Sequence, residues 1–165
     1  MRRTHISIGD TYATLISEPE LVPLAEETVH ECRRSIVRHM RDHPAFATSL
    51  EPVEVSRDAP EVVRSMAGAA EQAGVGPMAA VAGAIAQQVV DRLVGAGGEH
   101  VVFDNGGDIV MRLKCPVVVG IYTGESAEFQ LGLRVTETDR SLSICTSSGT
   151  VGHSFSFGVS DAATV

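Results

Sequence analysis

The stretch Gly74-Val-Gly-Pro-Met-Ala-Ala-Val-Ala-Gly-Ala-Ile-Ala86, continued to Val94 and leading into Phe103-Asp-Asn-Gly-Gly-Asp-Ile109, decides the fold. It has a glycine-marked entry, a helix of nearly all small residues, a glycine exit, then a strand and a tight turn. Pro77 suits the first helical turn, where its missing N–H would be unpaired anyway. Met78, Val81, Ile85, Val89 and Leu93 recur at helical spacing and predict one core face. Ala79, Ala80, Gly83, Ala84 and Ala86 leave the other sides almost free of side chain, so neighbouring backbone can approach closely. A helix apolar nearly all round is a buried one, and Gly95, Gly97 and Gly98 end it. The reading is a central helix, with the chemistry carried by the strands and loops C-terminal to it.

Working outward, His5 to Ser17 predicts two short strands around a Gly9-Asp10 turn. Glu20 to His43 is a long amphipathic helix with Leu21, Leu24, Ala25, Thr28, Cys32, Ile36 and Met40 as its buried stripe. Its glutamates come early and Arg33, Arg34, Arg38 and Arg41 come late, an order that complements the helix dipole. Pro44 stops that helix, and 45–58 is a proline-punctuated connection. Pro60 to Ala73 is a second helix, with Val62, Val63, Met66, Ala69, Ala70 and Ala73 inward. After the central helix come strands at Val101–Phe103, Ile109–Leu113, Val117–Tyr122, Phe129–Val135 and Leu142–Cys145, with a last one at His153–Phe157. Helices early and a meandering sheet late predict an α+β fold: a mixed or antiparallel sheet with a central Gly/Ala-rich helix and two further helices, in one domain over 1–165.

Several function classes fall to composition. The formal net charge of -8 argues against a nucleic-acid partner. Of 13 basic residues one, Lys114, is lysine, which leaves little basis for Schiff-base chemistry or a P-loop. The 3 cysteines, Cys32, Cys115 and Cys145, are odd in number and far apart, so they suggest neither a disulfide framework nor a zinc knuckle. They read as reduced thiols, with Cys145 buried at the end of an apolar strand. No run approaches the roughly 18 apolar residues a membrane span needs. The expectation is a soluble, cytoplasmic protein with no membrane partner.

Three stretches carry candidate chemistry. Gly74-x-Gly76-x-x-Ala79 loosely matches a dinucleotide fingerprint, but a helix precedes it where a strand is required, so it is read as a tight helix–helix turn. Asp104-Asn-Gly-Gly-Asp108 is a hairpin signal. Its two bracketing aspartates suit a divalent cation or a ribose hydroxyl as well as a turn. Cys145-Thr-Ser-Ser-Gly-Thr-Val-Gly-His-Ser154 sets the hydroxyls of Thr146, Ser147, Ser148 and Thr150 and two glycines around His153. Glycines let successive N–H groups turn inward as an anion nest, so such a loop can hold phosphate without lysine.

Together the Gly74–Ala86, Asp104–Ile109 and Thr146–Gly158 motifs resemble an uncharacterised ApbE-like family of archaea and anaerobic bacteria. His43-Pro-Ala-Phe-Ala-Thr-Ser-Leu50 fits the same family, so the resemblance spans nearly the whole chain. That family looks like a relative of the FAD:protein FMN transferases, which bind FAD and a magnesium ion and move FMN onto a Ser or Thr of a target. The resemblance implies a small phosphorylated ligand, FAD or FMN with Mg2+. It places Gly106, Gly107, Asp108, Thr146, Ser148 and Gly149 at the cofactor, and the turn and loop chemistry adds Asn105, Ser147 and Thr150. His153 and Asp108 become the catalytic candidates, and Asp108, Asp161 and Thr164 the metal ligands. Some members of the family are associated with sulfide assimilation into homocysteine in methanogens.

The departures define the alternatives. The transferases carry a Ser-His-Ile-Ile-Asp-Pro-x-Thr-Gly segment after the Thr-Ser-Gly loop, where this chain has His153-Ser-Phe-Ser-Phe. Their helix lysine is replaced by Gln87 or Gln88, and Asp161 and Thr164 are three apart rather than four. Three readings stay open: metal-assisted phosphoryl or nucleotidyl transfer on a bound cofactor, a non-catalytic accessory protein in sulfur or flavin delivery, and a packing module without a ligand. Asp161–Val165 looks like the first turn of another helix. The expectation is therefore a fold completed by a second copy (a homo-oligomer) or by a C-terminal segment.

Overall fold

In a computed structural model of the chain, residues 1–121, 131–147 and 163–164 are described. Strands β1 (Arg2–Ile8) and β2 (Thr11–Ser17) pair as an antiparallel hairpin with Ile8 opposite Thr11. The turn favours Gly9 because its φ of +56° is one that other residues rarely adopt, and the Arg33 guanidinium lies against it. A 3-10 turn at Pro19–Leu21 leads into α1 (Val22–Asp42). Ala25, Thr28, Val29, Cys32 and Ile36 are its buried residues. Val29 joins the expected stripe, while Leu24 and Met40 sit at its half-buried margin.

The connection after Pro44 contains a helical turn, α2 (Pro44–Thr48), that the sequence pattern does not reveal. Proline fits the first position of a helix as well as the end of one. The turn sets Phe46 fully into the core, with the His39 ring edge-on at 4.8 Å. α3 (Glu61–Ala73) buries Val62, Val63, Met66, Ala67 and Ala70; Ala69 and Ala73 face solvent instead. It ends on Gly74 at φ +68°, and the next N–H, of Val75, donates to Ala70 O at 3.0 Å. Gly76 is a close backbone contact: a Cβ on it would lie 1.9 Å from Ser49 O. The Gly74–Gly76 segment is thus a packed helix–helix turn.

A 3-10 turn at Pro77–Ala80 opens α4 (Val81–Gly95). Ile85, Ala86, Val89, Val90 and Leu93 are buried between α1 and α3 on one side and the sheet on the other. The helix is central, as expected, but its first turn is only half-buried. Among the described residues no single helix is long and apolar enough to cross a membrane.

The second half supplies β3 (Val101–Asn105), β4 (Asp108–Arg112), β5 (Val117–Ile121), β6 (Leu131–Val135), β7 (Leu142–Ser147) and β8 (Ala163–Thr164). Six strands form an antiparallel sheet in the order β1-β2-β3-β4-β7-β8, and β5–β6 is a separate hairpin. The fold is α+β. Alternation along the strands gives the sheet two apolar faces. Leu15, Val101, Phe103 and Val110 pack on the helices. Val102, Ile109, Met111 and Ile144 pack the other way, against Val117, Val119 and Val135 of the outer hairpin.

The chain's end is corrected. Ala163 and Thr164 lie in a strand opposite Ser147 and Thr146, not in a first helical turn. β-branched Thr164 suits a ladder, and its hydroxyl meets that of Thr146 at 3.0 Å. The expected strand at 153–157 lies outside the described residues.

Candidate functional site

The β3–β4 connection is a two-residue hairpin turn with Asn105 paired to Asp108. Gly106 and Gly107 both have positive φ, +68° and +101°. That geometry matches the right-handed twist of the flanking strands and favours glycine at both positions. A Cβ on Gly107 would also stand 3.2 Å from Thr146 O. Three contacts fix the turn. Gly107 N donates to Asp104 Oδ1 at 3.0 Å, Thr146 N donates to Gly107 O at 3.0 Å, and Asn105 Nδ2 donates to Ala82 O at 3.0 Å. The last bond ties the turn to the first turn of α4, and it is buried, Asn105 being 7% exposed.

Register then decides which expected residues meet. Paired residues share a face and successive residues alternate. Asp108 is opposite Cys145 and Thr146 opposite Thr164, so Asp108 and Thr164 point to opposite faces of the sheet. Asn105, Asp108 and Cys145 belong to the helix face. There an Asp108 carboxylate oxygen stands 4.0 Å from where a Cβ on Gly83 would be. The carboxylate is thus near the first turn of α4, whose partial positive charge favours an anion. Asp104, Thr146 and Thr164 belong to the outer face. Of the expected cofactor and metal residues, Ser147 is exposed beyond Thr146. Ser148, Gly149, Thr150, His153 and Asp161 lie outside the described residues. Among the described residues, no group of three or more His, Cys, Asp or Glu is placed to hold a metal ion.

Cys145 is exposed, contrary to expectation. The layer of α4 covers β3 and β4 rather than β7. Its thiol is nonetheless pushed up to about 11, by partial desolvation first and by the neighbouring Asp108 carboxylate second.

A cleft of ≈ 240 Å³ opens beside Asn105, between α1, the first turn of α4 and the β1–β2 turn. Met40, Met78, Val81 and Ile85 form its apolar wall, with Arg33 and Asp10 at the polar side. Arg33 is held over the hairpin turn by Thr11 Oγ1 at 2.9 Å and Asp10 Oδ2 at 3.4 Å. The sequence pattern places Met78 and Val81 in the core and Arg33 on a solvated helix end. The signal that could have linked them is the spacing: Met78, Val81 and Ala82 crown the helix that Asn105 touches.

A family model described as "AbpE bacteria" matches residues 2–165. The UPF0280 protein of Methanocella arvoryzae is 46% identical over 166 residues, which cover 100% of this chain and 68% of that protein. The UPF0280 protein of Archaeoglobus fulgidus is 43% identical over 166 residues, 100% of this chain and 68% of its own length. That of Methanococcoides burtonii is 41% identical over 164 residues, 99% and 69%. The chain therefore spans about two thirds of these relatives. With the model matched almost end to end and these identities along the whole chain, the protein belongs to the AbpE bacteria family, alongside the UPF0280 proteins.

Proposed function

We propose that the chain binds a phosphate-bearing cofactor, a flavin nucleotide such as FAD or FMN, across the β3–β4 turn and the adjoining cleft. The observation that carries this reading is the joint placement of the two. A glycine pair brings bare backbone to the surface at Asn105–Asp108, and Asn105 itself is a wall of an apolar cleft. The cleft is smaller than the roughly 300–1,000 Å³ of a drug-sized ligand site. It suits a ring or ribose, with the phosphates outside it. Phosphate oxygens would meet Ser147, Ser148, Gly149 and Thr150, the donors the sequence supplies from the end of β7 onward. A magnesium ion needs only one or two carboxylates when phosphates and water complete its shell. Asp108 is the proposed carboxylate on the helix face, with Asp161 as the further ligand the ApbE resemblance suggests; Thr164 points to the other face of the sheet, where its hydroxyl meets Thr146, and does not join that ion's shell. His153 and Asp108 are the proposed catalytic groups for nucleotidyl or phosphoryl transfer.

A second reading, an accessory protein that holds such a cofactor without transferring it, has one observation in its favour. Gln88, one of the two residues (with Gln87) that the resemblance sets in place of the transferases' helix lysine, is engaged on both sides. It accepts from Cys32 Sγ at 3.1 Å and donates to Glu61 Oε2 at 3.1 Å. A side chain so used is not free to meet phosphate.

Thermal unfolding with FAD, FMN, ATP or pyridoxal phosphate, each with and without magnesium, tests binding. A ligand at 100 times its Kd stabilises the folded chain by about 2.7 kcal/mol. The expected result is a concentration-dependent rise in Tm with FAD or FMN, larger with magnesium. No rise with any of the four would contradict the proposal. Adding a Thr-containing acceptor to the FAD and magnesium sample separates the readings: a mass gain equal to FMN indicates transfer, and its absence beside a clear Tm rise favours the accessory role.

A further inference from the structure

The three cysteines stand in three settings. Cys32 is buried, and its thiol donates to Gln88 Oε1 at 3.1 Å. Burial, with the Glu31 carboxylate adding to it, pushes that thiol up to about 11. Cys145, beside Asp108, is likewise pushed up to about 11. The thiolate is the nucleophile, and neither residue forms much of it near neutral pH.

Cys115 differs. It is exposed, three residues past the end of β4, and its Sγ lies 3.4 Å from Nδ1 of His100. His100 immediately precedes β3 and is only 7% exposed, so the β3–β4 pairing brings the two together at the open end of the hairpin. The Lys114 amide donates to the same Nδ1 at 3.3 Å. A nitrogen that accepts from an amide carries no proton, which assigns the ring proton to Nε2. The Cys115 S–H is then the donor toward Nδ1. An exposed thiol against an unprotonated imidazole nitrogen has the arrangement of a nucleophile and its base.

We propose that Cys115, with His100 as its base, is a thiol–disulfide exchange site for small disulfides. Nδ1 takes the Cys115 proton, giving up the long bond from the Lys114 amide. The thiolate attacks one sulfur of R–S–S–R, the new bond forms between Cys115 and that sulfur, and the old S–S bond breaks. The departing R–S⁻ receives the proton from His100 and leaves as R–SH. Cys115 is oxidised as one sulfur of the disulfide is reduced, and no further reactant enters. Five residue steps along the strand separate His100 from Asn105, roughly 17 Å at the usual rise. The exchange site and the glycine turn are therefore separate.

The test is reaction of the folded chain with dithiodipyridine, a chromogenic disulfide, with the labelled residue identified by peptide mass mapping. Cys115 should react at least ten times faster than Cys145, with Cys32 untouched until the chain is unfolded. A base contributes 10² or more where proton transfer limits the rate, and His100→Gln should slow Cys115 by about tenfold at the least. If that variant does not fold, the wild type decides alone. Cys115 reacting faster in the native chain than in denaturant supports the proposal, and an equal or slower native rate overturns it. Cys145 reacting first, or a folded His100→Gln chain reacting at the wild-type rate, also overturns it.

Discussion

The two ends of the β3–β4 hairpin are built from the same pair of strands and held in different ways. At the closed end, the polar groups of the turn are bound to backbone: Asn105 to Ala82 O, Asp104 to Gly107 N, and Gly107 O to Thr146 N. At the open end the contacts run through side chains, with Glu99 paired to Lys114 on the surface and His100 poised against Cys115. Lys114 holds the Glu99 carboxyl below its usual range, first by its hydrogen bond and then by its charge. The difference separates two jobs. A turn locked to its own backbone and to a helix is a fixed platform on which a ligand can be oriented. An imidazole nitrogen shared by an amide and a thiol sets a reactive side chain beside a base instead.

The largest effect should come from what the ends share. Phe103 is fully buried midway along β3, and Phe103→Ala should cost about 3–5 kcal/mol of unfolding free energy in urea. Both the cofactor-induced Tm rise and the fast Cys115 labelling should weaken together. If only one of them changed, the ends would not share a frame, and the comparison would break. A smaller effect should sharpen it. Asn105→Ala removes a buried bond to Ala82 O, a carbonyl that keeps its helical partner, at a cost of about 0.5–1.5 kcal/mol. It should abolish the Tm rise with FAD or FMN while Cys115 labelling keeps its wild-type rate.

Much of the frame was legible in the sequence because it is local. Helical spacing found the buried faces of α1 and α3 to within a residue or two, and the Asn105-Gly-Gly signal marked a turn whose positive φ values favour glycine. Phe46 was not legible, since a five-residue helix has no periodicity and proline marks both starts and stops. The candidate site was less legible still. Asp108, Thr146 and Thr164 look equivalent in sequence, yet the register through β7 sends Asp108 to the helix face and both threonines to the other. A one-residue offset reverses a face, and no local pattern reports it. His100 and Cys115 are 15 positions apart and meet only because β3 and β4 pair. Arg33 reached the cleft in the same way, through the Gly9 turn it lies across.

The central claim is that the closed end receives the cofactor. It is tested most directly by following backbone amide resonances of the folded chain during titration with FAD and magnesium. The account predicts that the signals of Asn105, Gly106, Gly107 and Asp108 move progressively to saturation, with those of Ala82 and Gly83 moving in step, while Glu99, His100 and Lys114 stay in place. Saturating movement at the open end with the glycine turn unchanged, or no movement at either end, would contradict it.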